Sequence, residues 1–203
     1  MDKSLLREFF IQLNKLEERE YFLSMVAYGT APTQKGMKPS SLMSFSKKGR
    51  NLFQLWEKYK YEVGAVLNLD FFILKETSDH RLILFYNSGK LKKHIFSRES
   101  REFLKMIGYK ECMTLDQSLQ LLKIRFEGIC PHEIGVFLGI PIEDILGFIK
   151  HKGDKCLFCS YWKVYHNPES ARALFKCYDI AKINVIYSII NVDAFGRATV
   201  EAS

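Results

Sequence analysis

Two short clusters in this sequence hold residue types able to do chemistry. Cys130-Pro131-His132-Glu133 sets a thiol, an imidazole and a carboxylate within four positions, and Cys156-Leu157-Phe158-Cys159 adds two more thiols. Cys130, His132, Cys156 and Cys159 are soft or borderline donors of the kind that hold zinc or iron. Each pair is spaced closely enough to chelate. Against a metal site, Cys156–Cys159 falls in an aromatic, β-prone stretch without the Gly or Pro that shapes a zinc knuckle. The zinc deaminase pattern is not met either, because His132 and Glu133 are adjacent and Lys155, not Pro, precedes Cys156. A thioredoxin-type redox pair needs its first Cys at a helix N-terminus, which lowers the thiol pKa. A strand following Cys156 does not provide that. Inert, buried thiols are the plain alternative.

His132-Glu133 reads as the start of a short helix, where the dipole favours a carboxylate. Adjacent helical residues point in different directions, so the two do not form a concerted acid–base dyad. One caps the helix while the other faces a cleft. Further on, Tyr161-Trp162-Lys163-Val164-Tyr165 alternates. In a strand, Tyr161, Lys163 and Tyr165 share one face and Trp162 and Val164 the other. Two tyrosines flanking a lysine make a platform for stacking and anion binding, suited to a nucleotide, flavin or RNA base. An ordinary amphipathic strand with cross-strand tyrosines is the plain alternative.

These residues have to be positioned by the elements around them. Leu5, Phe9, Leu13, Leu16, Phe22 and Val26 predict one N-terminal helix over residues 1–28, stopping at Gly29. Pro32, Gly36 and Pro39 predict an irregular loop from Thr30, leading to a strand at Leu42–Phe45. Gly49-Arg50-Asn51 opens a helix with Leu52, Leu55, Trp56, Tyr59, Val63 and Val66 on one side. Asp70–Thr77 and Arg81–Asn87 predict a hairpin, and their consecutive apolar residues require central strands covered on both faces. Ser97 caps a helix ending at Gly108, and Thr114-Leu115-Asp116-Gln117 fits a capping box. Gly139-Ile140-Pro141 separates two helical pieces, the second striped by Ile142, Ile145, Leu146 and Ile149. A strand at Leu157–Tyr165 follows, then a helix over 167–190 with Ala171, Leu174, Phe175 and Tyr178 inward, and a fraying tail over 191–203. The expected class is therefore α+β: a small, mostly antiparallel sheet packed against several helices, in one domain with a mixed core over 30–165.

Charge and composition narrow the function. At 203 residues with 47% apolar content the chain can bury a core. The net charge of +7, with Lys35, Lys38, Lys47, Lys48 and Arg50 unrelieved by acid, favours acidic partners without naming one. Solvated lysines on a surface are the simpler account. Sequence-specific DNA binding through the helix pair at Gly139 is not expected, because Glu143 and Asp144 at the second helix's start would repel phosphate. No Walker A loop, dinucleotide glycine turn or nucleophile elbow is present. Five cysteines, an odd number, and no signal-like apolar run predict a cytoplasmic protein with reduced thiols and no membrane span.

Three stretches together carry a family resemblance: Ala31-Pro32-Thr33 with Gly36-Met37-Lys38-Pro39, then Pro131 through Asp144 (PHEIGVFLGIPIED), then Tyr161 through Tyr165 (YWKVY). In that order they resemble a clostridial family designated domain of unknown function 3793. The resemblance runs from the first helix to about Tyr178 and departs at Gln34-Lys35, where a small or apolar pair is expected. It implies an anaerobe as the source, and it implies that these stretches form the surface that matters. It supplies no chemistry. Two expectations follow. One is a non-catalytic binding protein for a small anionic ligand, cofactor or protein partner, with Lys38, His132, Glu133, Tyr161, Lys163 and Tyr165 lining its cleft. The other is a metal- or haem-dependent enzyme, or a redox protein, using His132, Glu133 and the cysteines with zinc or iron.

Overall fold

The computed structural model describes residues 2–128 and 130–200, with side chains through residue 191. Its elements run α1 (Lys3–Lys15), α2 (Glu18–Gln34), β1 (Ser40–Ser46), α3 (Leu52–Leu67), β2 (Asp70–Glu76), β3 (His80–Tyr86), α4 (Ser88–Ile95), α5 (Arg98–Met106), α6 (Leu115–Arg125), α7 (Ile134–Phe137), α8 (Ile142–Lys150), β4 (Phe158–Cys159), β5 (Lys163–Val164) and α9 (Pro168–Val200). Strands β1, β3 and β2 form an antiparallel sheet in that order, and β4 pairs only with β5. This is the expected α+β class.

The apolar run of β3 explains the layering. Ile83 and Phe85 join a cluster with Phe9, Phe22, Val26, Trp56 and Val63 from α1, α2 and α3. Leu84 and Tyr86, pointing the other way, join Leu91, Leu104, Leu122, Val136 and Phe137 from α4 through α7. Each large apolar side chain so buried contributes about 1.5–3 kcal/mol. Helices therefore cover both faces, as a two-sided apolar strand requires. β2 is also covered on both faces, through Phe71 and Ile73 on one side and Phe72 and Leu74 on the other. It is an edge strand, however; only β3 is central.

Local capping follows the sequence closely in places. Asn51 and Asn87 accept from the third helical amides of α3 and α4, and Thr114 with Gln117 forms the full capping box of α6. Ala171, Phe175 and Tyr178 of α9 are buried, and Asn167 caps its first turn.

Three expectations need correction, and one helix, α4, has no counterpart among the elements expected from the sequence. The N-terminal segment is two helices, because the chain turns extended at Leu16 and Glu17. α2 does not stop at Gly29 but runs through Pro32. A proline in the last turn deletes a single helical hydrogen bond, and the burial of Ala31, Pro32 and Thr33 holds the helix together. Gly29 marks a close approach instead: an added Cβ would lie 2.5 Å from the flexible end of Met43 of β1. The Lys-rich segment before Ser97 is α4, whose Leu91 and Ile95 are buried one turn apart. Finally, Leu157–Tyr165 is not a strand of the main sheet but a two-residue ladder turned at Ser160–Trp162. α9 runs on to Val200, past the expected end at 190, and the rest of the predicted tail, 201–203, lies outside the described residues. Among the described residues no helix is long and apolar enough to cross a membrane.

Candidate functional site

The segment Pro131–Asp144 folds as the turn α7 followed by α8. Gly139 joins them at φ +76°, with an added Cβ placed 2.6 Å from Pro39, so the corner needs glycine twice over. Against α8 lies the β4–β5 hairpin. Gly147 lets it come close, since a Cβ there would sit 2.5 Å from the Tyr165 ring.

One carboxylate fastens the hairpin. Asp144, 2% exposed, accepts from Trp162 Nε1 at 2.7 Å and from the backbone N–H groups of Tyr165 and His166 at 2.7 and 2.8 Å. It also sits in the first turn of α8, where negative charge is favoured. Of the two acids expected to face outward here, only Glu143 does. Asp144 was missed as a structural residue, although a periodicity argument finds it: it shares the inward stripe with Ile145 and Phe148.

Between α7, α8 and the hairpin lies a cavity of about 450 Å³. Ile134, Ile140, Ile145, Phe148 and Trp162 give it apolar walls, and Cys130, His132, Asp144 and Lys163 stand in the same lining. The His132 ring lies 5.5 Å from that of Phe148. Lys163 Nζ donates to Gly153 O at 2.6 Å and stays 5.9 Å from the Phe148 ring centre. Desolvation, reinforced by the charge of Glu133, holds the Cys130 thiol above its ordinary pKa, which is the wrong direction for a nucleophilic thiolate.

The expected set of site residues divides. His132 and Lys163 come together at the cavity. Glu133 turns away and is buried, its Oε1 receiving Arg125 Nη1 at 2.9 Å. The same guanidinium donates to Ile107 O and lies over the Tyr109 ring, so Glu133 ties α7 to the ends of α5 and α6. Burial and the charge of Glu133 push the Tyr109 hydroxyl upward in pKa. Tyr161 donates to Asp179 Oδ1 at 2.9 Å and packs on Phe175 and Tyr178, facing α9. Tyr165 stacks on His151 at 5.8 Å. The Tyr-Lys-Tyr platform is thus dispersed, because the turn at Ser160–Trp162 breaks the alternation that a continuous strand would impose.

Lys38 lies apart as well. It stands 5.8 Å from the Tyr178 ring centre near Lys182, and burial together with that like charge lowers its pKa to about 8. Lys182 is itself lowered, by burial, and sits over the rings of Tyr28 and Tyr161. As for metal ligands, no three His, Cys, Asp or Glu side chains are grouped to hold an ion among the described residues. Cys130, His132, Cys156 and Cys159 therefore do not assemble as a four-ligand centre, and all five thiols are free.

What the fold and cavity define is an α+β protein with a small apolar chamber at a helix–hairpin corner. The chain belongs to the family described as protein of unknown function (DUF3793), whose model matches residues 26–195. That match runs from within α2 to within α9 and includes all three motifs. No curated protein matches the chain. No solved structure matches it either.

Proposed function

We propose that this chain is a non-catalytic binding protein whose cavity takes a small ligand with a flat apolar body and one acidic group. The observation that carries this reading is the composition of the cavity: apolar and aromatic walls with two groups able to meet an anion, His132 and Lys163, while the one carboxylate in the lining, Asp144, is engaged by Trp162 and the Tyr165 and His166 amides. Lys163 spends one N–H on Gly153 and keeps two for a ligand. About 450 Å³ is enough for a bicyclic aromatic acid but small for a protein segment. The enzyme reading has no comparable support, since the cysteines and His132 are not grouped and Glu133 is engaged by Arg125. We place the protein in the cytoplasm, where its five free thiols would stay reduced.

Trp162 lines the cavity and supplies the readout. Titration with 2-naphthoate should quench part of the tryptophan emission saturably, and 2-naphthylmethanol should bind more weakly. Lys163→Met should weaken naphthoate about tenfold, some 1.4 kcal/mol, and leave the alcohol unchanged. Equal affinity for acid and alcohol, or no saturation with either, overturns the reading. Mass spectrometry of small molecules retained by the purified protein then identifies the natural ligand.

A further inference from the structure

A second cleft, of about 320 Å³, opens between the Gly36–Pro39 turn and α4. Its lining carries Lys38, Lys90, Lys93, His94 and Ser97, and no carboxylate. Some cations elsewhere are paired: Lys58, Lys60, Lys105, Arg81 and Arg125 each hold an acid. Among the described residues none of the three cleft lysines forms an ion pair. The one acid acting on this group is Glu99, at the start of α5, which faces His94.

We infer that this cleft is a site for a phosphate group, borne by a small phosphomonoester or free in solution, distinct from the apolar cavity and not dependent on it. Several lysines around a concave backbone turn are point charges suited to a dianion. The cleft is also built rather than merely crowded. At Gly36, φ +68°, an added Cβ would lie 2.5 Å from Lys90 Cε and 2.6 Å from Lys90 Nζ. The absence of a side chain is what lets the Lys90 ammonium rest on the turn. One group in the lining has an unmet demand: His94 Nε2 is buried without a hydrogen-bond partner. Its ring is also held by the Val136 backbone, so Nε2 is placed to accept the proton of a phosphate monoanion, while Lys90 and Lys93 supply the charge that meets the anion.

The test is calorimetric titration with glycerol 3-phosphate and with inorganic phosphate, at constant ionic strength. Saturable binding is expected, weakened about tenfold by Lys90→Gln and by Lys93→Gln. Lys105→Gln, which removes a cation outside the cleft lining and paired with Glu111, and His132→Ala, in the other cavity, should change nothing. Tighter binding of the ester than of phosphate assigns the site to phosphorylated metabolites; equal binding assigns it to the free anion. Either supports the inference. No saturation, equal losses in Lys90→Gln and Lys105→Gln, or binding of a polyanion such as heparin with neither small probe, overturns it.

Discussion

The sheet core and the hairpin corner are held by opposite strategies. Around the sheet, stability is spread over many apolar contacts: Trp56 alone meets Phe22, Phe45, Phe71 and Phe85 at ring-centre distances of 4.6 to 6.4 Å. The buried cation there, Arg81, is met by Glu57 and Glu76. At the corner, one carboxylate holds the hairpin through three hydrogen bonds, and Lys38 lies desolvated beside Lys182, while Asp179 acts on Lys182. A distributed core tolerates change at any one point in proportion to the volume lost. A corner fastened at one residue fails at that residue, and fails locally.

Substitutions can break or sharpen this contrast. The largest effect is expected in the core: Trp56→Ala should cost about 3–5 kcal/mol, seen as a lower urea midpoint for the whole molecule. Next comes Asp144→Asn, which keeps the shape but offers one acceptor oxygen to three donors. We expect about 2–4 kcal/mol and, more tellingly, fast hydrogen exchange at the Tyr165 and His166 amides while the amides of β3 stay protected. Uniform loss of protection would show that corner and core are one cooperative unit. The smallest effect concerns Lys38. Its folded pKa, about 8, lies below the ordinary 10.5, so the folded state resists protonation. The destabilisation is complete below pH 8 and is relieved as pH rises toward 10.5, because there the unfolded chain binds more protons. Lys38→Met should therefore be more stable than the parent at pH 7, by on the order of 1–2 kcal/mol, with the gain shrinking by pH 10. Lys182 shifts in the same direction and adds to the slope. Urea midpoints at pH 7, 8.5 and 10 measure this, and a flat difference removes Lys38 as its source.

The same contrast explains what could be read from the chain. The β2–β3 hairpin, the two-sided burial of Ile83 to Tyr86, the Thr114 capping box and the inner stripe of α9 rest on local periodicity, which the sequence displays directly. Pro32 misled because a proline near a helix end costs little once its neighbours are buried. α4 was hidden by its lysines, although Leu91 and Ile95 stand four residues apart. The hairpin was beyond local reading: YWKVY alternates like a strand, and only the bond from Trp162 to Asp144, eighteen residues away, decides where its side chains go. His132 and Lys163 were recognised as chemistry-bearing and do meet at one cavity. Glu133 pairs with Arg125, Tyr161 donates to Asp179 and Tyr165 stacks on His151, partners that local reading does not reveal.

The register slip in β2 between Ile73 and Lys75 has a consequence for self-association. β2 is an outer strand, and a flat outer strand invites the same strand of another molecule to extend the sheet. Here the slip buries Leu74 at 1% exposure and interrupts the even spacing of backbone groups. Lys75 and Glu76 then stand exposed at the end of the strand. A neighbouring copy meets a kinked, charged border, so ordered stacking of sheets between molecules is disfavoured even at high concentration.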